Sequence, residues 1–439
     1  MHFDVPSKHY LACMMKRLLD WLAPQNPWLV MLPFLGLYMF LAATLTDHSE
    51  LKRDEVRYWG LATNLLHGHF HDKEGDNFLW SGPGYPALLA PMVALDVPLW
   101  VPKVVNAGIY YVAMVVFFHL LCLYLPRKSA WLASLCMLFY YVPWEESFGD
   151  IMTEALAFCL SVTTAYFFCK ALKESKFTWR AMLKPAAWLA WLMLTKVIFG
   201  YVVLICILAF GLASLIQRQN LKIKAGFRFS VLAMAFCLPY LIYTFAVSGK
   251  AFYWGNAGGL QLYWMSSPYP DELGDWHVKS LAEHPSLMQN HATFFASLDS
   301  LGPVERDDAF KRKAIQNIRE HPTKFLKNWA MNCTRILFSH PLSFLKPSLG
   351  VFKYVLPHSF LLVFGLLFLW PCLKRHQQIP TEIWCLLFLM ATYFFGTSLL
   401  AAYARFFFPI VPVLVLWIAV CIHQFVRIRF QPQPNESAT

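Results

Sequence analysis

HSELKRDEVRYWGLATNLLHGHFH, residues 48–71, crowds acids, bases and histidines just after the first long apolar segment of a chain that is 58% hydrophobic and 14% charged. Soluble chains carry roughly 25% charged residues, and the mean hydropathy of +0.44 points the same way. Inside the stretch, Asp54 and Glu55 open a helix-like run. Tyr58, Ala62 and Leu65 share one side of it, while Arg57, Asn64 and His67 are polar. Gly68 supplies a stop. Two acids at such a start suit the free amides and positive end of a helix, worth about 0.3 to 1 kcal/mol per charge.

Outward from this stretch the chain reads as a membrane protein of all-α class, a polytopic transmembrane bundle with interfacial helices on its outer face. At a rise of about 1.5 Å per residue, uncharged runs at 26–46, 104–125, 197–217, 229–248, 354–373, 383–404 and 406–426 are long enough to cross an apolar layer about 30 Å thick. Shorter runs at 129–144, 151–169 and 185–195 bring the expected crossings to ten. Lys16 and Arg17, Arg127 and Lys128, Lys170 to Lys184, Arg218 to Arg228, Lys374 and Arg375, and Arg427 and Arg429 then all fall on one side. The positive-inside bias makes that side, with both termini, cytoplasmic. These short basic loops account for the net charge of +11, so no nucleic-acid partner is required. Residues 1–26 contain no run resembling a cleavable signal and lead into a full apolar segment that reads as an anchor. Of eleven cysteines only Cys333 is expected well outside the apolar and inner regions, so no disulfide framework is implied.

Three parts follow: an N-terminal membrane module with an outer loop (1–248), an extracytoplasmic segment (249–353), and a C-terminal membrane module with its tail (354–439). The piece SGPGYPALLAPMVALDVP, 81–98, is punctuated by prolines and fits an interfacial helix better than a crossing. The outer segment reads as ordered loop, then a charged helix over 304–319. A second helix after Pro322 has a stripe of Phe325, Trp329, Cys333 and Ile336, with Lys324, Lys327 and Arg335 at headgroup level. With no complete core expected, the segment reads as a cap over a cavity.

Ionisable residues recur at the outer ends of the expected spans: Asp54 and Glu55; Glu145, Glu146, Asp150 and Glu154; Lys196; and Arg405. An uncompensated charge at membrane depth costs about 2.5 to 3.5 kcal/mol, so their placement around one rim suggests a shared polar cavity. An Asp beside a hydroxyl can act as general base, and Lys and Arg can steady a departing phosphate. Each residue also has a plainer role: Asp54 as a helix start, Glu55 orienting Arg57, Asp150 or Glu154 tying span ends together, Lys196 and Arg405 snorkelling. Tyr85 reads as packing or a substrate contact, and Trp254, Tyr263 and Trp264 as sugar-covering or interfacial aromatics. His67, His69 and His71 share one side of an extended segment, but four zinc ligands are not identifiable, and the metal is unknown. Asn332-Cys333-Thr334 and Asn435-Glu436-Ser437 fit the N-glycosylation acceptor pattern.

The ordered motifs RDEVRYWGLATNLL, GPGYPALLA, MTEALAF, LTKVIFG, REHPTKFL and ARFFFPIVP resemble the pattern of GT-C membrane glycosyltransferases, in the branch of the protein mannosyltransferases and lipid A aminoarabinose transferases. That resemblance implies a polyprenyl-phosphate-linked sugar as donor, an acceptor (lipid, glycan or protein) reached from the extracytoplasmic side, and inversion at the anomeric carbon. It implies residence in a bacterial inner membrane. The base role falls on Asp54, with Glu55 in the same acidic motif. Arg57, Tyr58, Lys196 and Arg405 fall at donor-phosphate positions, and Asp150 or Glu154 at a second acid. No nucleotide is needed, and a divalent cation is compatible with the acids. Where the aminoarabinose transferases carry a Lys with prolines, this chain has Ser81, Gly82 and Pro83. The rival is a secondary transporter or flippase for an anionic or lipidic solute, but such sites tend to the membrane midplane and repeat in two halves; neither feature is seen.

Overall fold

The computed structural model describes residues 8–45, 50–72, 78–277 and 281–426. His48 of the opening stretch, Arg427, Arg429 and the 435–437 glycosylation pattern lie outside them. The described chain is all-α, with no β-strand among its described residues.

A first helix, α1 (Lys8–Leu22), precedes α2 (Pro27–Val30) and α3 (Leu32–Thr44). The chain then folds as α4 (Asp54–Leu66) and α5 (Gly84–Ala94), which pack on each other. The membrane-like body runs through α6 (Trp100–Cys122), α7 (Arg127–Leu138), α8 (Glu154–Lys173), α9 (Trp179–Thr195), α10 (Ile198–Ile216), α11 (Leu221–Phe236) and α12 (Leu238–Ser248). A cap follows, made of α13 (Gly258–Met265), α14 (Pro285–Ala296), α15 (Pro303–Glu320) and α16 (Pro322–Phe338). The chain returns through α17 (Phe352–Lys374), α18 (Thr381–Ser398) and α19 (Val411–Phe425).

Among the described residues four helices are long and apolar enough to cross a membrane: Trp100–Cys122, Glu154–Lys173, Ile198–Ile216 and Leu349–Lys374. The α11–α12 pair, bent by 47°, makes a fifth if counted as one crossing. The expected ten are thus not all met by length and hydropathy. Residues 26–46 break at Met31, because Pro27 and Pro33 each begin a new helix and cannot continue one. The 129–144 run stops its helix at Leu138, and 406–426 yields only the 15 residues of α19. Membrane character rests also on exposure: α8 is the centre of the body, with 78% of its apolar window buried, against 28% for α10 and 17% for the Leu349–Lys374 helix. Leu204, Leu208 and Leu212 of α10, and Leu356, Phe360 and Leu367 of α17, face outward, an apolar surface far beyond what a soluble monomer shows.

Contacts define the two ends of the body. Beside α8, α6 runs from Lys103, which pairs with Glu55, to a far end where Tyr124 and Lys222 both bind Glu382. The turn at Arg127 and Lys128 is tied to Ala23, Gln25 and Asp20 at that far end. In between, aromatic packing holds the body: Tyr110 stacks on Phe158 at 5.0 Å, and Tyr38 stacks on Phe148 at 4.9 Å. Ser161 Oγ donates to Pro409 O at 2.6 Å, linking α8 to the entry of α19.

The cap departs from expectation in two ways. It has a small apolar core of its own, built on Tyr263, Trp264, Leu287, Leu298 and Phe310. The second cap helix, α16, does begin at Pro322, yet its buried face is Asn328, Asn332, Arg335 and Ile336. Arg335 therefore does not sit at headgroup level. Its guanidinium donates to Pro341 O at 2.8 Å and lies 3.8 Å from Asp275, because the cap loops leave carbonyls that need a buried donor. Asn332 is fully buried and donates to Ser398 O at 2.9 Å, so the folded chain offers no glycan acceptor there.

Candidate functional site

The site begins with how α4 is started. Arg53, at its N-cap, sits at φ 52° and ψ −121°, a region that costs a non-glycine residue about 1 to 3 kcal/mol. Glu55 holds this turn: its carboxylate accepts from Lys52 N at 2.8 Å and from Ile151 N at 2.7 Å, with Lys103 Nζ at 3.5 Å. The first contact ties Glu55 to the residue before the cap, Lys52, and closes the turn that starts α4. Glu55 is thus buried and fully engaged, and it turns Asp54 in the other direction.

Asp54 faces a cavity of about 630 Å³ between the body and the cap. Its carboxylate takes Arg405 Nη2 at 2.9 Å and Arg57 Nη2 at 3.1 Å. Arg405 comes from the turn Ala404–Phe407 between α18 and α19, some 350 residues away in sequence. Its Nε lies 3.7 Å from Glu154 Oε1, and Lys196 Nζ reaches the same oxygen at 2.8 Å. Glu154 opens α8, and Lys196 caps α9 at the end of its apolar run. Five charged side chains from four parts of the chain therefore form one cluster.

Close backbone contact makes the juxtaposition. A Cβ on Gly82 would stand 2.0 Å from Leu194 O, so only glycine lets the 81–84 turn lie against the end of α9 beside Lys196. Trp191 Nε1 donates to Gly84 O at 3.0 Å across the same contact. Ser81 Oγ accepts from Arg57 Nε at 3.1 Å, which fixes the guanidinium that addresses Asp54. On the cap side, a Cβ on Gly200 would fall 2.1 Å from the Trp254 ring, which closes that wall.

Burial would raise the Asp54 carboxyl, but the charges of Arg57, Arg405 and Lys196 outweigh it and hold the group below the usual carboxylate range. For Arg405, burial is outweighed by Glu154 and Asp54, so its charge is held more firmly than usual. The charged side chains lining the cavity are Asp54, Glu154, Arg57, Lys196, Arg405 and Lys311. Lys311 is matched by Asp307 at 2.6 Å. What remains is three cations against two carboxylates, an arrangement that favours an anion.

Of the residues expected at the site, Asp54, Arg57, Tyr58, Glu154, Lys196 and Arg405 line this cavity, as does Trp254. Glu55, Asp150 and Tyr85 do not. Asp150 stands behind Glu55, and burial together with the Glu55 charge raises its carboxyl. Tyr85 is fully buried, with its hydroxyl on the Asn106 side chain and its ring edge-on to Tyr58 at 5.4 Å. Tyr263 and Trp264 belong to the cap core. His71 accepts or donates at Tyr243 Oη, 2.7 Å away. Among the described residues no group of three or more His, Cys, Asp or Glu side chains is placed to hold a metal ion.

Several lining residues had not been singled out. Trp80 and Trp276 meet edge to face at 5.6 Å, one from the outer loop and one from the cap. Tyr403 and Phe406 flank the Arg405 guanidinium at 4.9 and 5.8 Å, and Lys196 Nζ lies 5.3 Å from the Phe406 ring. The available signal for the last two was local: an arginine with aromatics at i−2 and i+1. Compared with known proteins, the chain matches no family model, and no curated protein matches it.

Proposed function

We propose that this chain is an inverting membrane glycosyltransferase of the GT-C kind, moving a sugar from a polyprenyl-phosphate donor to an extracytoplasmic acceptor. The observation that supports it best is the single cavity where Asp54 and Glu154 are interleaved with Arg57, Lys196 and Arg405. A surplus cation suits a phosphate. Aromatic walls at Trp80, Trp254 and Trp276 suit the apolar faces of a sugar ring.

The chemistry divides between the two signs of charge. An acceptor hydroxyl attacks the anomeric carbon and its proton passes to the Asp54 carboxylate, which the neighbouring cations keep ionised against the pull of burial. As the new carbon–oxygen bond forms, the bond from the anomeric carbon to the phosphate oxygen breaks, and the electron pair leaves with the polyprenyl phosphate. Lys196 and Arg405 receive that charge. A positioned general base contributes about 10²- to 10⁴-fold, and preorganised charge on a leaving group about 10²- to 10³-fold per donor. Without substrate, Arg405 is engaged by Asp54 at 2.9 Å. A phosphate competing for that guanidinium weakens the ion pair and makes Asp54 a stronger base only when donor is bound. Glu154 keeps Lys196 and Arg405 in place as a positioning residue.

The test is reconstitution of the full chain in proteoliposomes with polyprenyl-phosphate-linked sugars. Release of polyprenyl phosphate without solute flux, lost in Asp54→Asn, supports transfer. Flux of the lipid or its headgroup with the glycosyl bond intact would instead make the protein a transporter.

A further inference from the structure

The cap helix α15 shows a feature that transfer chemistry does not use. Its outer face carries Arg312 and Arg319, both exposed, on either side of Ile315, which is 45% exposed. These three residues, with Gln316 and Glu320, line a recess of about 380 Å³. Glu320 is occupied by Gln316, whose Nε2 donates to it at 2.8 Å. Neither arginine has an ionic partner among the described residues, although pairing is the rule for the charges lining the cavity.

Two sets of contacts fix the height of this face. At its first half, α15 is held by Asp308 to Lys250, two residues beyond the end of α12. There too Asp307 takes Gly259 N at 2.7 Å and the Tyr253 hydroxyl at 3.2 Å. Further along, Ile315 shares the cavity wall with Ile198 and Tyr201 of α10. Below Tyr201, itself 44% exposed, α10 presents Ile205, Leu208 and Leu212 to the outside. The arginines thus stand over the end of a lipid-facing helix, beside the cavity mouth. That is where a phosphate layer meets hydrocarbon, and guanidinium is the side chain best matched to phosphate oxygens.

We infer that Arg312 and Arg319 hold the headgroup of an anionic phospholipid, whose acyl chains lie along α10 at the mouth of the cavity. The site stands on the unpaired arginines and the apolar face beneath them, independently of whether the cavity performs sugar transfer. A neutral zwitterionic lipid lacks the net charge to complete it, whereas basic residues near an anionic headgroup layer attract it.

The full chain in neutral detergent is tested by native mass spectrometry, titrating phosphatidylglycerol and phosphatidylcholine of identical acyl chains. Wild type is expected to retain phosphatidylglycerol in preference. The double variant Arg312→Gln/Arg319→Gln should bind it about tenfold more weakly with an unchanged melting temperature. A control, Lys346→Gln, removes an exposed charge elsewhere in the 249–353 segment and should bind as wild type. Asp54→Asn should also leave lipid retention unchanged, which separates this site from the transfer site. Absence of headgroup preference in wild type, retention of it by the arginine variant, or equal loss in the lysine control overturns the inference.

Discussion

Asp54 and Glu272 are both carboxylates whose pKa is held below the ordinary value against the pull of burial, yet their surroundings differ in kind. Around Glu272, every neighbour is a satisfied partner. His291 Nε2 lies at 2.9 Å, Asn290 Nδ2 at 2.9 Å, the Ser267 hydroxyl donates to it, and the far side of His291 meets Tyr263 Oη at 2.6 Å. Those hydrogen bonds are what depress it. Around Asp54 the partners are cations that face a cavity, and Arg405 is shared with a second acid. A closed, saturated network specifies a fold. An open cluster with surplus charge has something left to bind.

The strongest way to break this contrast is to neutralise each acid. Asp54→Asn is expected to lower sugar transfer by 10³-fold or more, combining loss of the base with a misplaced Arg405. Its stability should change by less than about 1 kcal/mol, since a partly solvated pair contributes little. Glu272→Gln should do the opposite: transfer per folded molecule stays within a factor of about 3, while the cap loses roughly 2 to 4 kcal/mol through the unpaired donors it leaves behind. Turnover and thermal melting measured on both variants decide the matter, and equal effects on both quantities would erase the distinction.

A second measurement sharpens it on the cation side. Lys196→Met removes one proposed donor-phosphate contact and leaves Glu154 with Arg405 and the Thr153 hydroxyl, so KM for the lipid-linked sugar should rise 10- to 100-fold, with kcat falling less. Arg405→Lys keeps the charge but loses the fork that spans Asp54 and Glu154, so kcat should fall about as much as KM rises. Steady-state kinetics in proteoliposomes read both. A KM effect in neither variant would detach the cluster from the phosphate.

How much of this was visible beforehand follows the range of each interaction. The helix starting at Asp54 was legible, because capping acids, the spacing of Tyr58, Ala62 and Leu65, and Gly68 at φ +80° are all local signals. So was the break before Pro322. The convergence of Asp54, Glu154, Lys196 and Arg405 was legible only as a pattern of charges at the ends of apolar runs, since nothing in sequence fixes a distance across 350 residues. Which of two adjacent acids faces the cavity was not. That depends on Glu55 accepting from Ile151 N, a contact made by a distant turn. Helix breaks inside 26–46 and 406–426 were hidden by hydropathy, which is blind to the prolines that end helices. The polar inner face of α16 was misread because Asn328, Asn332 and Arg335 meet carbonyls of loops whose course the sequence does not give.

pH offers the next, smaller test, at a carboxyl outside the cluster. Burial raises Glu146, on the turn Glu145–Gly149, to about 7, and one of its oxygens accepts from Tyr354 at 3.2 Å while the other has no hydrogen-bond partner among the described residues. An acid whose folded pKa exceeds its unfolded value binds more protons when folded, so stability falls as pH rises from about 4.5 to about 7 and levels off above. Glu146→Gln removes the ionisation. Its melting temperature should therefore match wild type near pH 4.5 and exceed it at pH 8 by an amount corresponding to roughly 1 to 3 kcal/mol. Asp54 has the reverse sign, its contribution being present above the unfolded pKa and lost as pH falls below it.

The smallest expected effect lies one residue before Asp54. Arg53 holds φ 52° and ψ −121° so that Glu55 can turn inward and Asp54 outward. Glycine adopts that backbone without the side-chain penalty, so Arg53→Gly should raise stability by a few tenths to about 1 kcal/mol, the relief being offset by the greater freedom of glycine in the unfolded chain. Proline fixes φ near −65° and would undo the turn. Arg53→Pro should release Asp54 from Arg405 and lower transfer at least tenfold. The pair separates backbone strain from side-chain charge, because both variants remove the same guanidinium. A loss of activity common to both would assign the role to the Arg53 side chain, whereas stable, active Arg53→Gly beside impaired Arg53→Pro locates it in the turn that points one acid at the cavity and its neighbour away.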